Sequence, residues 1–355
     1  MTPVELSRTV LRAMRHAVDA GELSVAVPET VGVERPRPGG CGDYATNVAL
    51  QVARAAGRTP RQVAEAVAPR LAAEDGIAGV DITGPGFLNI TLTRSPAEAL
   101  VRDVLAHGRR YGHVHPDTGQ LAQLHAPREV RALVVADAAR RILRSQGTLV
   151  RLTCDAAPDP RWADVLGVRV DAYGIPPQPL PGLRPVPAPA DPLPLGRDAA
   201  RWALLHPAAH DHPRTDPAHG GDLHLAQRES NPLFRVRYAH ARCRALSRNA
   251  AALGFDAHPG DVHPHDIPHP QALLAALGDH PAVLAAAARH RAPDRLARHL
   301  VVTADALLAY QHAVLPRGDE KPSATHRARL ALAEAAGTVL AGGLSLLGIS
   351  APAYL

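Results

Sequence analysis

Asn231-Pro232-Leu233-Phe234-Arg235-Val236-Arg237-Tyr238-Ala239-His240-Ala241-Arg242 is the stretch from which the fold can be read. Val236, Ala239, Cys243, Leu246, Ala250 and Leu253 then recur at helical spacing, which predicts a helix over 232–253 with one apolar stripe. Arg237, Arg244 and Arg248 share another face. The same period predicts helices near 197–206, 269–290, 293–314 and 324–347, the third of these lined by Leu296, Leu300, Leu307 and Tyr310. Such stripes with short connections describe a helical bundle. No repeat of fixed period stands out, which argues against a solenoid.

Outward from the bundle, Ile175 to Pro194 carries nine prolines in twenty residues. Proline cannot donate ladder hydrogen bonds and favours extended geometry, so this stretch reads as a linker or an extended strap. Before it, a helix over Arg131–Gln146 and an alternating strand, Thr148 to Thr153, are predicted. The start of the chain, to near residue 117, reads as a compact α/β domain. Thr2, Pro3 and Glu5 begin a capped helix with Leu6, Val10 and Met14 on one face; Arg35 to Gly40 is a loop; a second helix runs from Asp43 or Thr46 to Gly57; Thr59-Pro60-Arg61-Gln62 opens a third. Strands near Val80–Thr83 and Phe87–Leu92 are hinged by Gly84-Pro85-Gly86. Asp43 and Asn47 read as structural, a helix cap and a turn former.

With 355 residues the chain holds two or three domains. Aromatics are only 3% of it, so the cores are built from Ala, Leu and Val on helices. The net charge is +5, and Lys321 is the only lysine, so nearly every cation is an arginine. Arginine forks suit phosphate, and a basic balance favours polyanions, although a high-GC genome enriches Arg, Ala and Pro as well. Cys41, Cys154 and Cys243 are far apart and odd in number, which excludes a disulfide framework and a zinc ribbon. No leader and no apolar run of about 18 residues is seen, so a cytoplasmic protein with no membrane partner is expected.

Two motif sets carry a family resemblance. Gly42-Asp43-Tyr44-Ala45-Thr46-Asn47-Val48-Ala49-Leu50, followed some forty residues later by Gly84-Pro85-Gly86-Phe87-Leu88-Asn89-Ile90, resembles the N-terminal additional domain of arginyl-tRNA synthetases. The stretch Tyr238-Ala239-His240-Ala241-Arg242 is similar to the helix that opens the family's anticodon-binding bundle, the DALR domain. Leu344 to Pro352 resembles its closing segment, and Gly196 to Trp202 the helix before the bundle. The resemblance implies an α+β multidomain fold: residues 1–117 as the additional domain, 118–195 as a vestigial Rossmann-like middle segment with the Pro-rich linker, and 196–355 as the all-α bundle. It implies tRNA as partner, tRNA(Arg) first. Tyr238, Arg242, Arg235 and Leu355 match anticodon-contacting positions, and Phe87 and Asn89 match the strand that approaches the D-loop. Arg235 stands where the family usually has a tyrosine, and Leu355 where it usually has methionine.

The family activates its amino acid with a His-Ile-Gly-His-like loop and a Lys-Met-Ser-Lys-Ser-like loop. Here His125-Ala126-Pro127-Arg128 stands at the first position, a degenerate nucleotide loop marked by His125 and Arg128, and no lysine lies in Pro185–Leu195, the second. About seventy residues between them are too few for a complete nucleotide domain. The expectation is therefore a chain that is not an enzyme, with no cofactor and no metal, holding tRNA at both ends. A regulatory protein that binds a true synthetase or a biosynthetic enzyme and residual arginine–tRNA ligase activity are the alternatives. If Arg235, Arg237, Arg242, Arg244 and Arg248 form one exposed basic face, RNA gains over the protein partner; if they are dispersed into salt bridges, the partner gains. His258, His263, His265 and His269, and His206, His210 and His212, have metal-capable side chains but read as solvated loop histidines. Gly39-Gly40-Cys41-Gly42 lacks the ending of a phosphate loop and reads as a turn.

Overall fold

Proline, glycine and helix caps punctuate this chain where its sequence places them. In the computed structural model, residues 3–34, 36, 41–92, 96–115, 119–175, 183–216, 218, 220–260, 262 and 270–355 are described. The chain divides into two units, Met1–Leu100 and Val101–Leu355.

In the first unit, α1 (Pro3–Asp19) buries Leu6, Val10 and Met14, the face its spacing predicts. The Thr2 cap and most of the Arg35–Gly40 loop lie outside the described residues. Helix α3 (Pro60–Ala72) begins in a full capping box: Gln62 N donates to Thr59 Oγ1 at 3.3 Å, and Thr59 N donates to Gln62 Oε1 at 3.0 Å. Strands β1 (Val33–Glu34), β2 (Tyr44–Thr46), β3 (Ile77–Thr83) and β4 (Phe87–Leu92) form an antiparallel sheet in the order β1-β2-β4-β3.

The helix expected from Asp43 or Thr46 to Gly57 is corrected. Tyr44–Thr46 is a strand, and the helix, α2, is only Val48–Val52. Asp43 caps no helix; it clamps β4, its N–H donating to Ile90 O at 2.8 Å and its Oδ2 accepting from Leu92 N at 2.8 Å. A β4 edge awaiting a partner, with Tyr44 and Thr46 alternating inward, outweighs local helix propensity. Gly42 takes φ +80°, and a Cβ there would come 2.8 Å from Ile90 O. Gly86, at φ +140°, has Pro60 O at 2.8 Å from where its Cβ would stand. Both motif glycines therefore answer to close backbone approaches.

Helix α4 (Pro96–His107), which the sequence reading missed, leads into a 3-10 turn, Gly108–Arg110. In the second unit β5 (Leu121–Ala126), α5 (Val130–Ser145), β6 (Leu149–Cys154), α6 (Pro160–Leu166) and β7 (Ala172–Tyr173) make a parallel three-stranded sheet ordered β5-β6-β7. The expected helix and the strand at β6 are found; β5, α6 and β7 add to them. Helices α7 (Gly196–Leu205), α8 (Pro232–Ala252), α9 (Gln271–His290), α10 (Pro293–Tyr310) and α11 (Ala324–Leu347) follow. Leu253 leaves the predicted stripe, because α8 stops one residue earlier and Leu253 is exposed.

Buried arginines join sheet and bundle. Arg131 of α5 has no exposed surface and donates five hydrogen bonds to backbone carbonyls: Nε to Leu204, Nη1 to Val186 and Asp211, Nη2 to Pro207 and Ala208. That fastens the described part of the Pro-rich stretch as a strap, since Val186 N also donates to Ala209 O at 2.8 Å. Residues 176–182 of that stretch lie outside the described residues. Asp137 and Arg201, both fully buried, pair at 2.8 Å, and Arg201 also donates to Leu166 O and Leu347 O. Contrary to the apolar-run expectation, α9 and α11 are long and apolar enough to cross a membrane by length and composition alone. In α11 78% of the apolar window is buried inside the protein, and in α9 44%.

Candidate functional site

Asn231 starts the site. Its Oδ1 accepts from Leu233 N at 3.0 Å to cap α8, while its amide nitrogen donates to His224 O and Ala226 O at 3.0 and 2.9 Å. One side chain thus fixes both the helix start and the loop beside it. On the first turns of α8, Phe234 and Tyr238 stack, ring centroids 5.5 Å apart and planes 16° off parallel, with Tyr238 36% exposed. Arg242 lies one turn further on, its Nε donating to Gln311 Oε1 at 2.8 Å. Arg235 pairs with Asp305 of α10 at 3.1 Å.

Beside this helix start lies a cavity of about 190 Å³. Its wall comes from the start of α7 (Arg197, Asp198), the loop at His224 and Gln227, the cap Asn231, Phe234 and Arg237 of α8, and Leu355. It is smaller than the roughly 300 Å³ at which drug-sized sites begin. Arginine and aspartate face each other there, Arg237 Nη2 lying 3.7 Å from Asp198 Oδ2. The closing segment is fastened to both α7 and α8. Ser350 N donates to Asp198 Oδ1 at 3.0 Å, its hydroxyl bonds the same carboxylate, and His240 Nδ1 meets Pro352 O at 2.8 Å.

Of the five α8 arginines, Arg235 and Arg237 are paired with carboxylates. Arg242 is held by a neutral amide, Arg248 lies over the Tyr354 ring at 4.3 Å, and Arg244 is exposed. They do not make one uniform basic face: the first two are dispersed into salt bridges, as the protein-partner alternative expects, and the three without a carboxylate partner among the described residues lie from the middle of the helix onward.

In the first unit, Phe87 is 39% exposed, but Asn89 is only 2% exposed and its Nδ2 donates to Thr83 Oγ1 at 2.6 Å. The hairpin thus consumes the amide, leaving Phe87 as the accessible member of the pair. At the carboxyl edge of the parallel sheet, His125 bridges Thr153 Oγ1 (Nδ1, 2.9 Å) and Asp155 Oδ1 (Nε2, 2.8 Å), while Arg128 Nε donates to Ala157 O at 2.7 Å. Glu129 caps α5, taking Arg131 N at 3.0 Å and Ala132 N at 2.7 Å. The helix N-terminus that would face a phosphate therefore has a carboxylate of its own on it.

Among the described residues no three His, Cys, Asp or Glu side chains gather into a metal shell. His206 stacks on Trp202 at 5.1 Å, and burial, then nearby Arg298, push it down to about 4. His263, His265 and His269 lie outside the described residues. Sequence reasoning missed Phe234, Tyr354 and Gln311 as neighbours of the motif. An exposed aromatic near the end of an aromatic-poor chain was the available signal for Tyr354.

Residues 6–92 match the arginyl tRNA synthetase N terminal domain, and residues 236–355 match the DALR anticodon binding domain. Among curated relatives, an arginine–tRNA ligase of Frankia alni is 28% identical over 560 aligned positions, covering 99% of this chain and 100% of the relative. One of Renibacterium salmoninarum is 28% identical over 547 positions with the same coverage. Because 560 positions are set against 355 residues, at least 205 of them have no counterpart here. The fold is that of Thermus thermophilus arginyl-tRNA synthetase (TM-score 0.60, 16% identity) and of the Plasmodium falciparum enzyme (TM-score 0.59, 8% identity), each comparison covering both chains fully.

These findings correct the expectation of a chain that is not an enzyme, since the relatives matched from end to end are named as ligases. That expectation rested on two absent loops and a short middle segment, and a missing motif does not measure how a site stabilises charge. Histidine and arginine, His125 and Arg128, still stand at the carboxyl edge where α/β sheets hold ligands.

Proposed function

We propose that this chain, which carries the N-terminal and DALR anticodon-binding domains of arginyl-tRNA synthetases, binds tRNA and prefers tRNA(Arg). The cavity at the start of α8 is the observation that carries the reading. An anticodon offers unstacked bases, which proteins read by aromatic stacking and by hydrogen bonds to base edges. Here a small hollow, lined by Phe234, Arg237, Asn231 and Leu355 among others, adjoins the Phe234–Tyr238 stack, in which Tyr238 is exposed. One base enters the hollow and the next stacks on Tyr238, while Arg242 and Arg235 lie within reach of the strand. In the first unit Phe87 offers its ring to the D-loop.

Filter binding of several purified tRNAs at two salt concentrations tests the reading. About micromolar or tighter binding that weakens with salt is expected, with tRNA(Arg) ahead of the others. Tyr238→Ala should weaken it about tenfold, the range of one lost base stack. Complete absence of binding at low salt would refute it.

The names of the relatives favour a second reading, arginine–tRNA ligase activity. Arginine-dependent exchange between ATP and pyrophosphate by the purified chain would establish it, and a flat assay would retire it.

A further inference from the structure

We propose that Tyr354, with Arg109, Arg244 and Arg248, forms a second RNA-binding surface on the bundle: the open face of the Tyr354 ring takes an unpaired base, and the guanidiniums take the flanking phosphates. This rests on the tRNA-binding reading and extends it beyond the cavity at the start of α8.

Tyr354 is the most exposed aromatic ring among the described residues, at 72%. Its position is nevertheless fixed, because Pro352 O is bonded to His240 and Ser350 to Asp198, so the ring stands on an anchored backbone. Arg248 covers one face at 4.3 Å, leaving the other open. Such a ring backed by a guanidinium is a stacking platform whose quadrupole is already satisfied on one side.

Of the remaining cations, Arg244 lies one turn before Arg248 on α8, and Arg109 comes from a different part of the chain. The 3-10 turn Gly108–Arg110 rests on α11 where Gly342 has no side chain; a Cβ there would come 2.6 Å from Arg109 O. Burial first, and then the charges of Arg244 and Arg109, hold His240, the residue that meets Pro352 O, below the usual imidazole range. Arg109 and Arg244 are exposed, and neither they nor Arg248 has a carboxylate partner among the described residues. By contrast the helix start neutralises Arg235 with Asp305 and Arg237 with Asp198. Arg244 and Arg248, one turn apart on α8, repel one another unless an anion lies between them, and the nearby Glu334 carboxylate is already engaged by the Ser247 hydroxyl at 2.7 Å. Their planar forks match phosphate oxygens.

Binding of intact tRNA to the full chain, measured across a salt series, separates the outcomes. Tyr354→Ala should bind about tenfold more weakly, and Tyr354→Phe, which keeps the ring, within about twofold of the wild type. The double variant Arg109→Gln, Arg244→Gln should lower the slope of log affinity against log salt by about one for each phosphate that is no longer neutralised, roughly two in all. Thermal melts by circular dichroism establish that each variant is folded. If Tyr354→Ala and the double variant bind like the wild type while Tyr238→Ala is weakened, this second surface does not bind RNA and the tRNA reading stands. If the wild type binds no tRNA, both fall.

Discussion

Asp137 has no exposed surface, yet it stays ionised. Burial alone would raise its carboxyl, but Arg201, Arg141 and Arg140 outweigh that and hold it below the usual carboxylate range. Replacing it by Asn leaves the buried Arg201 without its counter-charge, and the loss should be about 3–5 kcal/mol in urea unfolding, the cost of breaking rather than replacing a buried pair. Neutral burial has its own signature in the histidines. His280 is pushed down to about 3, by burial first and then by His299 and His113; its Nδ1 has no partner, and the His299 ring lies 5.3 Å away. A folded value below the unfolded 6.5 means that the unfolded chain binds the proton first. Its contribution is therefore complete above pH 6.5 and is lost as the pH falls toward 3, at up to about 1.4 kcal/mol per pH unit. Urea midpoints taken from pH 7 to 4 should fall, and His280→Leu should flatten part of that decline; an unchanged slope in the variant would exclude this histidine as a cause. None of these burials was legible in the sequence. Arg131 and Asp137 look like surface charges on an amphipathic helix until α7 and the strap close over them.

Elements were read best where local chemistry and tertiary demand agree. The capping box at Thr59 and the α8 start at Asn231 are set by residues within three positions of each other, and both stand where the sequence predicts them. The failure at Asp43–Gly57 has the opposite cause: Tyr44–Thr46 pairs with β4, more than forty residues away, and no local pattern reports that partner. The two-residue strands β1 and β7 were invisible for the same reason. Asn231 shows how an element boundary becomes part of the site. Substituting Ala removes the cap and both bonds to the His224–Ala226 loop, which forms one wall of the cavity. A stability loss of about 1–2 kcal/mol should follow. Affinity for an anticodon stem–loop should fall along with it, whereas Thr59→Ala, a cap of similar worth in the first unit, should lower stability alone. Equal RNA binding by the two variants would mean that the loop does not shape the RNA site.

At the scale of the whole molecule, the two motif sets were legible because each is a short backbone necessity: Gly42 and Gly86 for close approaches, Asn231 and Pro232 for a helix start. Their joint purpose is not a property of either unit, since each has its own core and its own exposed ring, Phe87 in one and Tyr238 in the other. If both rings touch a single RNA, the second contact forms at the effective concentration set by the first, and affinity for intact tRNA should exceed that for the anticodon stem–loop by at least about tenfold. Phe87→Ala in the full chain isolates that gain. The variant should bind intact tRNA about tenfold more weakly and the stem–loop as the wild type does, because only the longer RNA has a D-loop to offer. Tyr238→Ala should weaken both. Should Phe87→Ala leave intact tRNA binding unchanged, the first unit contributes no stacking contact, and the bundle alone accounts for the affinity.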